Sequence, residues 1–354
     1  MKDRLITFEE KLSQSPAEAI LVTGQKNVYY LTGFWGTAGT VFISKNRRLF
    51  LTDARYSLLA RQTITDFDII ETRSALAEIV KIIKADKLSV IGFESAITYS
   101  YYQELAATFA DYRLLALTNF VEELRMIKDT DEIEAIRRAC QISDRAFADV
   151  LDFIKPGQTS ELDVANFLDF RMRKYGASGL SFETIVASGY RSAIPHGVAG
   201  DKVIQLGEML TMDFGCYYNH YVSDMTRTIH IGVPTDEERT IYDIVLNSNR
   251  ALIDILRPKM TRRDYDKAAR DVIAAAGYGQ AFTHGIGHGI GLDIHEIPYF
   301  GNVEGRIESD MVITDEPGIY LDGKYGVRIE DDLLVTKDGC EVLTLAPKEL
   351  IILK

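Results

Sequence analysis

The chain has 354 residues, of which 46% are hydrophobic and 26% charged, and its formal net charge is −12. A length of roughly 150 residues per domain indicates two domains. The acidic balance argues against a nucleic-acid partner, and no apolar run reaches the ~20 residues that a membrane span needs. Residues 1–14 lack the apolar core of a secretion signal and the three cysteines are far apart. A reduced, cytoplasmic protein is therefore expected.

Short β-prone runs alternate with amphipathic stretches through the first 120 residues. This alternation is typical of a small α/β domain. The predicted strands are 19–22, 40–43, 48–51, 67–70, 89–93 and 114–117, and the predicted helices are 74–84 and 99–109.

A long helix is predicted to open the second part of the chain. Asp129 and Glu132 have the spacing of a capping box, and apolar residues then recur at helical spacing as far as Ile154. The Pro156-Gly157 pair stops the helix. We therefore place the domain boundary between residues 120 and 128 and predict domains at 1–122 and 123–354.

The second part repeats a pattern of its own. Residues 155–159 resemble 257–261, and each segment opens a helix that ends at a glycine, Gly176 or Gly277. A His-Gly pair follows in both halves, beginning at His196 and at His284, and then a hairpin with two carboxylates. Matches in the same order indicate two related halves, and a cleft between such halves is a usual place for a site.

The first hairpin is predicted within residues 211–228, where two β-prone runs flank a turn-rich middle. A turn centred between Tyr218 and Asn219 would set Asp213 directly opposite Asp224, about 5 Å apart on one face. Two carboxylates at that distance repel each other, so we expect a cation between them.

The second hairpin turns at 322–324, an Asp-Gly-Lys sequence with a strong turn signal. A turn centred on Gly323 would set Glu316 opposite Glu330. Arg328 lies two residues from Glu330, so it points to the same face and could orient a carboxylate. Any one of these carboxylates could be an ordinary surface residue, but two symmetric pairs favour a shared site.

Three of the six histidines fall within one short segment: His284, His288 and His295. The intervening glycines each cost about 1 kcal/mol relative to Ala in a helix, so we predict a loop or twisted strand rather than the His-Glu-x-x-His helix of zinc peptidases. One of these histidines can ligate a metal, and the others can donate protons or stabilise an oxyanion. His196 is expected to be functional, whereas His220 and His230 are expected to be structural.

Four carboxylates and one imidazole make a hard, oxygen-rich ligand set. It suits a pair of divalent ions, Mn²⁺ first and Zn²⁺, Co²⁺ or Fe²⁺ less distinctively. A water between two such ions is acidified and becomes a nucleophile near neutral pH. The residues thus favour a two-metal hydrolase whose candidate ligands are Asp213, Asp224, His288, Glu316 and Glu330.

At these residues the chain resembles the creatinase/prolidase/aminopeptidase P family of pita-bread metallopeptidases. Segment 284–296 fits the family signature, and the five candidate ligands match the family's dimetal ligands in order and spacing. Segments 314–320 and 327–331 are also family-like, as are 30–34 and 52–56 near the start. The resemblance implies an α/β creatinase-like N-terminal domain followed by an α+β pita-bread domain with an internal pseudo-two-fold repeat.

The resemblance implies hydrolysis of the Xaa-Pro bond in small peptides with proline at the second position, by a hydroxide that bridges two metals. Asp213 would be bidentate to one metal, Asp224 and Glu330 would bridge, and His288 would complete one coordination sphere. Glu316 would bind metal and shuttle a proton from the attacking water to the leaving proline nitrogen.

The resemblance also implies roles on the substrate side of the site. His196 and His295 would bind substrate and steady the tetrahedral intermediate, with His284 in the pocket wall and Arg328 behind the ligands. A homodimer or homotetramer is implied. Trp35 either packs in the first domain or walls the active site of a neighbouring subunit.

Several alternatives stay open at this point. Dipeptidases similar to this chain carry an arginine just after a His-Glu-x-Pro stretch, whereas Tyr299 and Phe300 follow Pro298 here. This difference, with segment 52–56, favours an aminopeptidase P over an Xaa-Pro dipeptidase. A creatine-hydrolysing relative would not need the five ligands, which are all present here. A non-catalytic binding protein on the same fold would depart from them. A methionine aminopeptidase would share the ligands but would not need residues 1–120.

Overall fold

The computed structural model describes residues 2–354, with side chains from Arg4 onwards, and its chain forms two compact units. The first unit ends at Arg125, and the second spans Met126–Lys354. The predicted boundary at residues 122 and 123 falls just before this division.

The first unit is built on one mixed β-sheet. Its strands are β1 (Ala19–Val22), β2 (Thr40–Ser44), β3 (Arg47–Thr52), β4 (Asp68–Glu71), β5 (Val90–Glu94) and β6 (Arg113–Leu117). They lie in the order β4-β3-β2-β1-β5-β6, with β1 antiparallel to β2 and parallel to β5. Every residue of β1 is buried, as expected for a central strand covered on both faces. The six predicted strands are confirmed to within a residue or two at their ends.

The helices of the first unit are more numerous than the two predicted ones. They are α1 (Lys2–Ser13), α2 (Gln25–Thr32), α3 (Ser57–Thr63), α4 (Ala75–Asp86), α5 (Tyr99–Thr108) and α6 (Glu122–Arg125). Trp35 follows α2, is half-buried, and meets the ring of Tyr29 edge-on with centroids 5.6 Å apart. Its placement at a neighbouring subunit's site stays a prediction.

The second unit carries the longest helices. They are α7 (Thr130–Phe153), α8 (Glu161–Lys174), α9 (Asp236–Ile255) and α10 (Arg262–Ala275). The predicted capping box opens α7, since the Asp129 side chain accepts the Glu132 N–H and the Glu132 side chain accepts the Asp129 N–H. No helix within residues 2–354 combines the length and apolar character that crossing a membrane requires.

The strands of the second unit are short and form several sheets. They are β7 (Gly179–Leu180), β8 (Ile185–Ser188), β9 (Glu208–Phe214), β10 (Cys216–Tyr218), β11 (Tyr221–Val222), β12 (Met225–Ile231), β13 (His288–Gly289), β14 (Glu296–Tyr299), β15 (Val312–Asp315), β16 (Gly318–Leu321), β17 (Tyr325–Arg328), β18 (Asp331–Val335), β19 (Cys340–Val342) and β20 (Ile352–Leu353). The two larger sheets run β20-β12-β9-β8 and β14-β13-β15-β18-β19.

Helices α8 and α10 correspond to each other in the two predicted halves. Both are 14 residues long, and both begin after a hydroxyl side chain, Ser160 or Thr261, that accepts a backbone N–H from the first turn. Each is followed by a glycine with positive φ, Gly176 at 108° and Gly277 at 92°. Helix α8 packs on α7, and α10 packs on α9, as two related halves require.

The register predicted for the first hairpin is wrong by one residue at its centre. Strands β9 and β12 pair so that Asp213 lies opposite Thr226 rather than Asp224. The turn residues are Asn219 and His220, with φ of 47° and 71°. Two successive residues of positive φ make the tight turn that joins right-twisted strands, and this chemistry moves the centre one residue along the chain. Asp224 falls just before β12 and still reaches the site.

The register predicted for the second hairpin is confirmed. Gly318 pairs with Arg328 across β16 and β17, and Asp315 pairs with Asp331 across β15 and β18. Both pairings share one register, so Glu316 and Glu330, which lie between them, occupy opposed positions.

Candidate active site

A cavity of about 490 Å³ in the second unit gathers all nine predicted site residues. Its lining includes Asp213, Asp224, His288, Glu316, Glu330, His196, His284, His295 and Arg328. His220 and His230 are not among its lining residues. His230 is wholly buried in β12 with Nδ1 2.8 Å from the Gly232 carbonyl oxygen, and His220 lies in the hairpin turn.

Three of the predicted ligands form a compact cluster. One ligand atom from each of Asp224, His288 and Glu330 lies within 4.8 Å of the other two, and all three residues are buried. His288 Nε2 is 3.6 Å from Asp224 Oδ2 and 3.7 Å from Glu316 Oε1. The other ring nitrogen, Nδ1, is 3.2 Å from the Gly289 carbonyl oxygen and must donate to it. The lone pair of Nε2 is therefore directed at the carboxylates, as metal ligation requires.

Arg328 connects the two hairpins. One terminal guanidinium nitrogen donates to Asp213 Oδ2 at 2.7 Å, and Nε donates to Thr226 Oγ1 at 2.9 Å. Because the Thr226 oxygen accepts from Arg328, its own proton goes to Glu330 Oε2 at 2.6 Å. These bonds hold one oxygen each of Asp213 and Glu330 and leave the other oxygens for a ligand. Asp213 Oδ1 is buried and has no hydrogen-bond partner.

Tyr320 extends this network to a histidine. Arg328 donates to the Tyr320 hydroxyl oxygen at 2.8 Å, and the hydroxyl lies 2.8 Å from His284 Nε2. His284 Nδ1 is 2.8 Å from the Gly285 carbonyl oxygen, so Nδ1 carries the proton and Nε2 accepts from Tyr320. The chain of bonds sets the tautomer of His284.

Burial dominates the electrostatics of the four carboxyl groups. It raises the pKa of Asp213, raises that of Glu316 to about 8, and raises those of Asp224 and Glu330 well above the ordinary range. Repulsion among the carboxylates adds to the effect, and Arg328 opposes it. Four carboxyl groups, of which three are buried and Glu316 is 19% exposed, cannot all ionise beside one arginine without further positive charge. Divalent cations supply such charge, so the residues fit the metal ions that the ligand set predicts.

Burial favours the neutral form of three imidazoles of the cavity, those of His284, His288 and His295. Burial lowers the pKa of His284 and of His288 to about 4 and also lowers the pKa of His295. A neutral imidazole is the form that binds a metal. The rings of His288 and His295 meet edge-on with centroids 4.2 Å apart, and His196 is exposed at the cavity wall.

The glycine-rich segment is a loop that contains the two-residue strand β13, in agreement with the predicted loop or twisted strand. At Gly287 φ is 155°, and a Cβ there would lie 2.3 Å from the Thr314 carbonyl oxygen. The backbone of this segment therefore packs directly on β15, and Glu316 N–H donates to the Ile286 carbonyl at 2.8 Å. Close backbone contact places His288 beside Glu316.

Sequence reasoning did not single out Thr226 or Tyr320. Strand alternation contains a signal for both, since Thr226 lies two residues after Asp224 and Tyr320 lies four after Glu316. Glu296 was also missed as a partner of Lys128, whose Nζ lies 2.9 Å from Glu296 Oε1. Nothing in the local sequence joins residues so far apart.

Two family models together match most of the chain. Residues 134–337 match the model of metallopeptidase family M24, and residues 4–127 match the creatinase/prolidase N-terminal domain. A Bacillus subtilis protein named uncharacterized peptidase YqhT is 43% identical, covering 99% of this chain and 100% of its own length.

Two solved structures are similar over nearly the whole chain. The Xaa-Pro dipeptidase from Bacillus anthracis is 43% identical with a TM-score of 0.96, covering 99% of each chain. The X-Pro aminopeptidase from Thermotoga maritima is 37% identical with a TM-score of 0.90, covering 97% of this chain and 99% of the other. The predicted two-domain pita-bread architecture and the predicted class of enzyme, a metallo-exopeptidase, are confirmed. The chain belongs to metallopeptidase family M24, with a creatinase/prolidase N-terminal domain before its peptidase domain.

Proposed function

We propose that this protein is a dinuclear-metal exopeptidase that hydrolyses the Xaa-Pro bond at the N-terminus of proline-containing peptides, as an aminopeptidase P does. The observation that carries the proposal is the convergence of Asp224, His288 and Glu330 within 4.8 Å at a cavity that Asp213 and Glu316 also line. Four acids and one neutral imidazole offset the charge of two divalent ions, and Mn²⁺ suits their oxygen-rich character best.

The five ligands divide between the two hairpins and the glycine-rich segment. Asp213, Asp224 and Glu330 would hold the ions, with His288 and Glu316 completing the set. When bound, the ions acidify a water and polarise the scissile carbonyl. An Xaa-Pro amide has no N–H, so the residues around it need supply no acceptor for one.

Glu316 is the residue to which we assign the proton transfer. Its side chain is 19% exposed at the cavity, and its Oε1 lies 3.7 Å from His288 Nε2, so it faces both the open space and the proposed ligands. It would take the proton of the attacking water and pass it to the leaving proline nitrogen. His196 and His295 would contact substrate and the tetrahedral intermediate, and His284 would stand in the wall.

The scarcity of lysine and arginine side chains in the cavity lining supports an aminopeptidase. Within the described lining, Arg328 is the sole lysine or arginine, and its hydrogen bonds go to Asp213, Thr226, Tyr320 and the Pro195 carbonyl. A dipeptide presents a carboxylate directly after proline and requires a cation there. Peptides that continue beyond proline do not.

The second candidate function is that of an Xaa-Pro dipeptidase. The Bacillus anthracis relative, which covers 99% of this chain, has that name. A cation outside the lining of this unit would be needed to bind the carboxylate.

The test is a metal-restoration assay. The protein is stripped with a chelator, reloaded with Mn²⁺, and given an Xaa-Pro dipeptide and an Xaa-Pro-Yaa tripeptide in parallel. We expect the tripeptide to be cleaved faster. Cleavage of the dipeptide alone would replace the aminopeptidase with the dipeptidase, and inactivity on both would end the peptidase proposal.

The proton-shuttle role has its own test in Glu316→Ala. We expect turnover to be abolished, and metal content is measured alongside by elemental analysis. Near-normal turnover with full metal occupancy would refute the role.

We also propose that the protein is cytoplasmic, as its three widely spaced cysteines indicate, and that it forms a homodimer or homotetramer, as the family resemblance implies. Light scattering after size-exclusion chromatography measures the assembly, and a monomer would contradict this part of the proposal.

A further inference from the structure

The segment that carries His196 is anchored by a buried carboxylate. Glu161, the first residue of α8, is wholly buried, and its Oε1 accepts the backbone N–H of Ser188 at 2.7 Å and the Ser188 hydroxyl at 2.9 Å. Glu161 Oε2 accepts Arg191 Nε at 2.9 Å. The same guanidinium donates to the Val198 carbonyl at 2.5 Å. The arginine therefore joins the carboxylate to the backbone two residues beyond His196.

The segment that carries His284 is anchored in a corresponding way. Asp266, in α10, accepts the backbone N–H of Ile286 at 3.1 Å through Oδ1 and Arg270 Nε at 2.7 Å through Oδ2. The guanidinium of Arg270 also donates to the Phe282 carbonyl at 3.2 Å and to the carbonyl of His284 itself. The carboxylate again accepts a loop N–H, and the arginine again reaches a loop carbonyl.

We propose that these two carboxylate–arginine pairs, Glu161–Arg191 and Asp266–Arg270, are clamps with the same bonding pattern that position His196 and His284 for hydrolysis. The proposal rests on the proposed function, because it assigns a task to the substrate-side histidines. Helices α8 and α10 occupy matching places in the two halves, and each supplies a carboxylate that accepts a loop N–H. The arginine partners differ in origin, since Arg191 lies between β8 and β9 whereas Arg270 belongs to α10 itself. None of the four side chains lines the cavity, and each acts as a positioning residue.

Both clamps also connect to the second hairpin. Ile286 is held from two directions, since its N–H donates to Asp266 and its carbonyl accepts the N–H of Glu316 at 2.8 Å. In the first half, the Ser192 hydroxyl accepts the N–H of Gly326 at 2.8 Å. Loss of either clamp would therefore disturb both the histidine of that segment and the backbone of the second hairpin.

Arg270→Gln is the principal variant, and Lys267→Gln is its matched control. Lys267 forms an ion pair with Asp271 on the same helix at the same i,i+4 spacing, but its side chain is 63% exposed against 35% for Arg270. Loss of a residue that orients functional groups lowers activity about 10- to 100-fold. We expect a decrease of that size in kcat/KM for Arg270→Gln on the Mn²⁺-loaded protein with an Xaa-Pro-Yaa tripeptide, and no change for Lys267→Gln.

A double-mutant cycle with His284→Ala separates positioning from general structural damage. If Arg270 acts through His284, Arg270→Gln lowers kcat/KM much less in the His284→Ala background than in the wild type. Equal losses in both backgrounds would overturn the clamp. So would normal activity of Arg270→Gln where His284→Ala is impaired.

The same measurements distinguish the clamp from the function on which it rests. Full activity of His284→Ala would remove the role proposed for that histidine, whatever Arg270→Gln does. If Arg270→Gln does not fold, as judged by thermal melting, Arg191→Gln with His196→Ala forms the equivalent cycle in the first half. Equal losses of kcat/KM from Arg191→Gln in the wild-type and His196→Ala backgrounds would then overturn the clamp.

Discussion

Replacing Lys128 by Met should destabilise the protein strongly. Lys128 Nζ lies 2.9 Å from Glu296 Oε1, and the two side chains are 1% and 4% exposed. Removing one partner of a buried ion pair typically costs about 3–5 kcal/mol, because the other charge stays buried without its counter-charge. Glu296 directly follows His295 and opens β14, so the damage would fall beside the site.

The expected loss can be converted into a melting temperature. For a domain of roughly 150–250 residues, each 1 kcal/mol lowers Tm by about 2–4 °C. The unit Met126–Lys354 has this size, so Lys128→Met should lower Tm by roughly 6–20 °C. Differential scanning calorimetry and urea unfolding at a fixed metal concentration measure the change.

The matched control is Lys324→Met. Lys324 Nζ lies 3.0 Å from Glu237 Oε1, but these side chains are 57% and 52% exposed, and such pairs contribute about 0–1 kcal/mol. The double variant Lys128→Met with Glu296→Gln leaves no unpaired charge and should regain much of the lost stability. A stability loss in Lys128→Met no larger than that in Lys324→Met would show that burial does not strengthen the Lys128–Glu296 pair.

Three further predictions concern the metal site. Without metal, the pKa of Glu316 is about 8 in the folded protein, against an ordinary value of 4.5. Between these two pH values the folded state holds a proton that the unfolded chain has lost. The free energy of unfolding should therefore fall by up to about 1.4 kcal/mol for each unit by which the pH rises. Denaturant titrations with EDTA and with Mn²⁺ check this, and a flat profile in EDTA would contradict it. Gly287→Ala should cost about 2 kcal/mol or more, since its Cβ would lie 2.3 Å from a backbone oxygen. In Gly285→Ala the nearest atom is 3.7 Å away, and similar melting of both variants would refute the steric reason. Thr226→Val should weaken Mn²⁺ binding about 10- to 100-fold by removing the 2.6 Å hydrogen bond to Glu330, and unchanged affinity in isothermal titration calorimetry would show that the bond is not needed.

Local chemistry explains why parts of the fold were predictable. Periodicity and turn residues located the six strands of the first unit, and the capping box at Asp129 located the start of α7. The turn at Gly323 was found because its φ of 71° favours glycine. The centre of the first hairpin was predicted one residue too early because Asn219 and His220 both adopt positive φ. A histidine, unlike a glycine, does not by itself indicate that conformation in the sequence.

The sequence by itself determined which residue types form the candidate site and in what order they occur. Spacing and resemblance named nine residues, and all nine lie in the lining of one cavity. These residues are recognisable because metal binding demands particular chemical groups, whatever surrounds them.

Only the tertiary structure decided which groups hold those residues in place. Arg328 meets Asp213 across 115 residues of chain, and Lys128 meets Glu296 across 168. Such pairs form because packing brings distant segments together, and the energy of each bond depends on burial that no local pattern encodes. The hydroxyl of Thr226 between Arg328 and Glu330, and both clamps on the histidine segments, became visible for the same reason.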